Sequence, residues 1–302
     1  MLIKIRTYAQ NNPVIRRFIG QTLPSTGLFD SVFNNWKVDD FWRERIDICV
    51  SCPDNEKIPR CEGAGKIKNG KQLMHNGIWI NLGSYYGPEI SKLLVENKGV
   101  HEPQEEYVFQ LVLDFIEEKK HTAEKVMIEL GSFWAMYSLW FKRTFPDAKA
   151  IMIEPDEYNL ESGKRNFALN GVDGNFINAF VGDKHEPENT IDVRTVTVDG
   201  IKEEFELELI DILHADIQGF ERAMLTGAEN ILSNQLAEFL FVSTHTNELH
   251  YECIENIKSH GYRIICEIDL DDTYFEDGLI VACSKDSAFE FSGKISKRPK
   301  AS

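Results

Sequence analysis

The chain has 302 residues, 42% hydrophobic and 11% aromatic, and a formal net charge of −16. That length and apolar content suffice for one large domain, or for a core domain with an accessory region. The acidity argues against nucleic acid as a partner, because a phosphate backbone recruits basic surfaces.

The first residues, MLIKIRTYAQNNPVIRRFIGQTL, lack the continuous apolar stretch and small-residue cleavage site of a secretory signal. No run in the chain reaches the ~20 apolar residues of a membrane span, so a soluble cytoplasmic protein is the expectation. Residues 1–103 are broken repeatedly by glycine and proline and form an irregular N-terminal region. Within it, SVFNNWKVDDFWRERI suggests a helix packed on the core, and GIWINLG a strand of a small meander. Cys49, Cys52 and Cys61 give one C-x-x-C pair and a stray. Even with His75 as a fourth ligand this falls short of the two pairs of a structural zinc site, so free thiols are expected. Cys253, Cys266 and Cys283 sit in apolar patterns and are expected in the core.

From residue 104 the pattern becomes regular. PQEEYVFQLVLDFIEE has helical apolar spacing, with Pro103 at its first turn and acids at its N-terminus. Strand candidates then alternate with helices: KVMIEL, AIMIEP, NFINAFV, DILHADI and AEFLFVSTH, with helical stretches at 134–145, 157–169, 220–232 and 248–260. Such alternation implies a mostly parallel sheet covered on both faces. Segment 191–209 interrupts it, and DVRTVTVDG suggests an added hairpin or edge strand. YRIICEID and GLIVACS are joined by too few residues for a crossover helix, which predicts an antiparallel terminal pair. The domain is expected to span 104–290, leaving 291–302 as a basic, solvated tail.

The most informative segment is VMIELGSFWAMYS (126–138), followed by IMIEP (151–155). A strand ending in an acid and a glycine turn, then a second strand ending in an acid, is how doubly wound folds hold a nucleoside-bearing cofactor. The glycine lets the backbone approach the ligand, and the second acid, Glu154, accepts from the ribose hydroxyls. The close glycine pair that a pyrophosphate needs is missing, since Phe133 and Ala135 occupy that stretch. S-adenosylmethionine has no phosphate and needs only the one turn, so it is favoured over NAD or FAD.

The motifs together resemble those of the FkbM-type S-adenosylmethionine-dependent O-methyltransferases. The family's first motif resembles D-V-G-A-N-x-G-x-x-S and stands here as Glu129 to Ser138. Its acid-proline pair is Glu154-Pro155. Its K-x-D-x-[EQ]-G-x-E, followed by L-x-G-A, stands as His214 to Glu221 and Leu225 to Ala228. The likeness covers roughly residues 100–285. It departs from the family at Phe133, at Ala135 where a glycine is usual, and at His214 where a lysine is usual. The resemblance implies an α/β, Rossmann-like class I methyltransferase fold: a mostly parallel seven-stranded sheet with an antiparallel terminal strand. It also implies methyl transfer to a hydroxyl, with a sugar in a glycan, glycolipid or glycosylated metabolite as acceptor. The rivals are an NAD-linked oxidoreductase on nucleotide sugars and a non-catalytic binding or scaffold protein. The oligomeric state stays open.

On this pattern Glu129, Gly131, Ser132, Glu154 and Asp216 line the cofactor site. Asp183, in a Gly-Asp turn, reaches for the adenine amino group. His101, Glu102 or Glu105 either caps a helix or folds over the cofactor as a lid. His245 is the first candidate for the general base, ahead of His214 and Asp216, because a histidine suits proton transfer near neutral pH. Glu221 is either functional or a helix-terminus acid, and His250 is expected on a helix surface. Trp36, Trp42, Trp79, Tyr85 and Tyr86 are core aromatics or platforms for a sugar face. Nothing in the sequence requires a metal. A magnesium-dependent variant using Asp216 with other acids is the alternative.

Overall fold

The computed structural model describes residues 24–119, 124–185 and 193–299. The expectations for residues 1–23 and for the last three residues lie outside them. The aromatic-rich run that suggested one helix forms two, α1 (Asp30–Asn34) and α2 (Asp40–Val50). Asp39 starts the second by accepting the Trp42 amide at 3.0 Å, an N-cap worth about 1 kcal/mol. β1 (Ile67–Lys68), β2 (Lys71–Leu73) and β3 (Trp79–Asn81) form the antiparallel meander, and α3 (Pro88–Glu96) follows. These elements share a core with the rest of the chain. Ile46, Met74, Ile78 and Leu93 belong to the same buried cluster as Phe109, Trp140 and Phe241.

After α4 (Pro103–Glu118), strands and helices alternate: β4 (Val126–Leu130), α5 (Met136–Thr144), β5 (Lys149–Ile153), α6 (Glu157–Asn170) and β6 (Asn175–Ile177). NFINAFV does not form one strand. After β6 the chain turns away, and β7 (Phe180–Val181) pairs in parallel with β8 (Thr195–Val196) in a separate two-stranded sheet. Of the added hairpin or edge strand expected within 191–209, the described residues show a strand, β8, and no hairpin. Thr197 instead accepts the Gly200 amide at 3.0 Å and starts α7 (Val198–Glu204).

β9 (Ile210–Ala215) leads to α8 (Glu221–Thr226) and α9 (Glu229–Ser233), where one helix was expected. The break falls at Gly227, where a Cβ would lie 2.2 Å from the Gly182 carbonyl oxygen. The side chain of Asp199 caps the second helix through the amides of Asn230 (2.8 Å) and Ile231 (3.0 Å). Thus the Leu225–Ala228 part of the third motif is structural: its glycine lets the end of β7 pack closely. β10 (Ala237–Thr244), α10 (Asn247–Ser259), β11 (Arg263–Ile268) and β12 (Gly278–Cys283) complete the fold.

The seven-stranded sheet has the order β11-β12-β10-β9-β4-β5-β6. β12 is antiparallel to both neighbours, and the pairs β10–β9, β9–β4, β4–β5 and β5–β6 are parallel. This is the expected Rossmann-like methyltransferase architecture. Side chains alternate between its faces: Met127, Ile212, Phe239 and Phe241 enter one core, and Ile128, Leu213, Leu240 and Val242 the other. Among the described residues, no helix is long and apolar enough to cross a membrane.

The C-terminal tail, expected to be solvated, is pinned through residue 298. Ser296 donates its amide (2.7 Å) and hydroxyl (3.0 Å) to buried Asp54, and the Arg298 amide donates to the Asp272 carbonyl at 2.8 Å. Lys297 pairs with Asp272 at 3.1 Å.

Candidate active site

The chain runs from β4 to β5 and β6 on one side, then returns to build β9 and β10 on the other. The crevice at such a reversal, at the carboxyl ends of the strands, is where open α/β sheets bind ligands. Here a cavity of ≈ 230 Å³ lies at those ends, lined by Glu129, Gly131, Ser132, Glu154, His214 and Asp216 among others. Gly131 (φ +73°) sits at the reversal, and a Cβ on it would lie 1.8 Å from the Asp216 carbonyl oxygen. Only glycine allows both that conformation and that approach.

On the β5 side, Glu154 is buried and holds the turn after β4. Its two carboxylate oxygens accept the amides of Phe133 (3.1 Å) and Asp156 (2.8 Å). Burial pushes its carboxyl up to about 6, despite those hydrogen bonds. Glu129 accepts the Ser138 amide at 2.9 Å, so it anchors the first turn of α5 as well as lining the cavity. Burial raises it too. The Ser132 hydroxyl is buried without a hydrogen-bond partner. Phe133 (φ +40°) and Ala135 (φ +56°) keep the left-handed conformations of the turn despite their side chains. Asp183 does not join the site: it is exposed and outside the cavity lining, which ends on this strand at Phe180 and Val181.

The N-terminal region supplies the roof. Tyr85 stacks on Trp134 with ring centroids 4.5 Å apart, and Tyr85, Tyr86, His101 and Glu102 all line the cavity. Glu102 accepts from the Tyr137 hydroxyl at 2.9 Å, and burial lifts its carboxyl well above the usual range. Behind it, buried Glu106 lies 3.0 Å from His75 Nε2 and accepts the His101 amide at 2.8 Å. Burial opposes its ionisation, but His75 and His101 overrule this and hold its carboxyl well below the usual range. His75 is thus committed to Glu106 and not to the cysteines. Cys49 donates to the His101 carbonyl and Cys61 to the Met74 carbonyl, and all six cysteines are free. Burial pushes Cys52 up to about 12, the mark of an unreactive thiol. Of the other aromatics, Trp42 packs against the main core, and the Trp79 main chain donates to and accepts from the Asn170 side-chain amide. Trp36 is half-buried in the loop after α1.

On the β9 and β10 side the acids gather around His245. Its Nδ1 lies 2.9 Å from Glu221, and its Nε2 lies 3.2 Å from Asp216 and 3.4 Å from Asp277. Burial works against protonation, yet hydrogen bonds to Asp216 and Glu221 and the charge of Asp277 push the imidazole up to about 10. Both ring nitrogens of His245, the first candidate base, therefore face acids. Glu221 is fully buried and holds this cluster together, so it is not a solvated helix-end acid. His250, expected on a surface, is also fully buried, between Thr244 (2.8 Å) and Glu267 (3.3 Å). Thr246 caps α10 by accepting the Leu249 amide at 3.1 Å. His214 Nε2 lies 2.7 Å from Glu105, against which Ser243 also leans, and its Nδ1 is buried without a partner. Against burial, Glu105 raises the His214 imidazole.

Sequence reasoning missed Asp277, Gln218, Trp134 and Phe220. Asp277 lay in a loop that read only as a short connection. Its one signal was an acid-glycine step opening the last strand.

Residues 173–264 match the family model described as Methyltransferase FkbM domain, which bears out the resemblance carried by the motifs. The match supports methyl transfer with S-adenosylmethionine as cofactor. No protein of curated function matches the chain. Among solved structures, it is similar to a METTL16 MTase domain at 14% identity and TM-score 0.46, covering 80% of this chain and 92% of that one. It is also similar to precorrin-6y C5,15-methyltransferase from Geobacter metallireducens GS-15, at 12% identity and TM-score 0.40, covering 60% and 89%. A third is M. capricolum TrmK in complex with S-adenosyl-homocysteine, at 14% identity and TM-score 0.39, covering 61% and 71%.

Proposed function

We propose that this chain, matched over residues 173–264 to the FkbM methyltransferase domain, methylates a hydroxyl of a sugar in a glycan, glycolipid or glycosylated metabolite. The observation that carries the cofactor half is the Gly131 turn flanked by Glu154 and Ser132. Each Glu154 oxygen accepts one backbone amide, which leaves lone pairs for the two ribose hydroxyls. The unpartnered Ser132 hydroxyl suits the methionine carboxylate. Phe133 stands where a dinucleotide's phosphates would need bare backbone, which disfavours the NAD-linked alternative.

Support for a sugar comes from the cavity mouth. Tyr86, Phe180 and Phe220 line it, each about half exposed. Exposed rings beside clustered acids suit an acceptor with an apolar C–H face and an equatorial belt of hydroxyls.

The sulfonium cofactor supplies the methyl group. The acceptor oxygen must approach in line, so that the C–O bond forms as the C–S bond breaks and the hydroxyl proton leaves. His214 suits the role of base. Glu105 orients its Nε2–H and stabilises the imidazolium, while Nδ1 stays available to the acceptor. Asp216 and Glu102 hold the acceptor's other hydroxyls.

The test is turnover of methyl-labelled S-adenosylmethionine on a panel of sugars and glycosides, with the product located by mass spectrometry. Label on a hydroxyl oxygen is expected. Label on nitrogen or carbon would sink the O-methyl assignment.

A further inference from the structure

The cluster around His245 has a shape that methyl transfer to a sugar does not itself require. The Nε2 of His245 and one carboxylate oxygen each of Asp216 and Asp277 lie within 4.8 Å of one another. Glu221, fully buried, accepts from Nδ1 at 2.9 Å and from the Gly219 amide at 3.2 Å. The Gln218 amide nitrogen lies 2.6 Å from Nε2 and 3.2 Å from Asp216 Oδ1. A cation bound at Nε2 would take the place of the proton and of the Gln218 amide there, while Nδ1–H donates to Glu221. Three acceptors then face one another across a short gap.

Two further facts point to a cation. The second oxygen of Glu221 is buried with no hydrogen-bond partner. Among the described residues, the ion pairs of Asp216, Glu221 and Asp277 run only to this one imidazole, with no lysine or arginine in contact. Three carboxyl groups thus meet one imidazole and no other cationic side chain among the described residues. A carboxylate fixing the far nitrogen of a histidine is also the usual support of a metal-ligating imidazole.

We infer that Asp216, His245 and Asp277 bind a divalent cation, with Glu221 as the residue that positions His245. Bond lengths of ~2.0–2.4 Å would span the gap after small side-chain rotations. One imidazole with two carboxylates suits Mn²⁺ better than a site of oxygen ligands alone, and such a site keeps positions open for water or ligand oxygens. Asp216 also lines the cavity, so the cation would face the acceptor, a placement that rests on the methyl-transfer assignment above. There it would orient a hydroxyl-bearing acceptor and ease loss of its proton.

The test uses the full chain, stripped with chelator and titrated with Mn²⁺ by calorimetry and by the loss of the free-ion paramagnetic resonance signal. One Mn²⁺ per chain is expected, with Asp277→Asn weakening binding by at least about tenfold and Glu221→Gln by roughly 10- to 100-fold. Mn²⁺ should raise the melting temperature of the native chain but not of Asp277→Asn. Asp277→Asn is expected to fold, because it removes one of two facing acids, and circular dichroism checks this. Absence of binding at millimolar Mn²⁺, or binding indifferent to both substitutions, overturns the site. S-adenosylhomocysteine titrated into the same samples reports the cofactor site separately. Mn²⁺ binding without it would leave the metal site standing and the methyltransferase assignment lost, and the converse result would do the reverse.

Discussion

The two ends of the cleft are built differently. At the β5 end, the acids are held by backbone: Glu154 accepts two amides and Glu129 one, and a glycine turn sets the geometry. At the β9–β10 end, acids face other side chains, with Asp216, Glu221 and Asp277 around one histidine and Glu105 on another. A backbone cradle fixes one shape and suits a constant ligand. A side-chain cluster keeps unspent charge and can be varied without disturbing the fold, which suits the changeable partner. On the proposed function the cofactor takes the first and the acceptor the second.

The largest effect is expected where the two ends touch. Gly131→Ala would drive a Cβ to 1.8 Å from the Asp216 carbonyl and strain a backbone at φ +73°. Stability should fall by about 3 kcal/mol or more in urea titrations, and cofactor binding and turnover should vanish together. Survival of either end alone would show that they are not joined at this contact.

Glu106→Gln tests the support beneath the roof. It should cost about 3 kcal/mol at neutral pH, because it removes the buried carboxylate that faces His75 and His101. The pH dependence has a definite sign. The folded-state value of Glu106 lies below the ordinary carboxylate value, so its contribution is full above that ordinary value. It is lost as pH falls from about 4.5 toward the lower, folded-state value. The urea midpoint of the native chain should therefore drop more steeply below pH 5 than that of the variant. Parallel slopes would contradict this.

Tyr86→Ala separates the ends more gently. It should raise the KM for a sugar acceptor severalfold, while S-adenosylhomocysteine affinity changes less. The reverse ranking would move Tyr86 to the cofactor. The smallest effect is expected for Asp183→Ala. An exposed side chain outside the cavity should change cofactor affinity less than about twofold by calorimetry.

The β5 end of the cleft was largely legible in the sequence, because backbone geometry leaves local marks. Gly131 after an apolar run and Glu154 after the next follow from strand period and turn chemistry alone. The order of the last two strands was legible for the same reason, since nine residues cannot make a crossover. At the β9–β10 end Asp216, His245 and Glu221 were legible singly but not as a cluster, because its members come from β9, α8, β10 and the loop before β12 and meet only in three dimensions. Asp277 carries no local sign of its partners. His250 read as surface because helical period alone does not tell which face β12 will cover. The tail read as solvated from its charge, yet its serine and main-chain amides, not its lysines, make most of the docking. Packing also gives residues 24–103 a share in the main core. With Ile78 and Leu93 in the main core, removing that region would unfold more than a pocket wall, so single substitutions in its roof are the sharper probe.

The central claim is that the Gly131–Glu154 cradle holds S-adenosylmethionine, and calorimetry with S-adenosylhomocysteine tests it most directly. One site per chain is expected, weakened about 10- to 100-fold by Glu154→Ala as two ribose hydrogen bonds to a charged acceptor are lost. No heat of binding at millimolar ligand, or an affinity unmoved by that substitution, would contradict it.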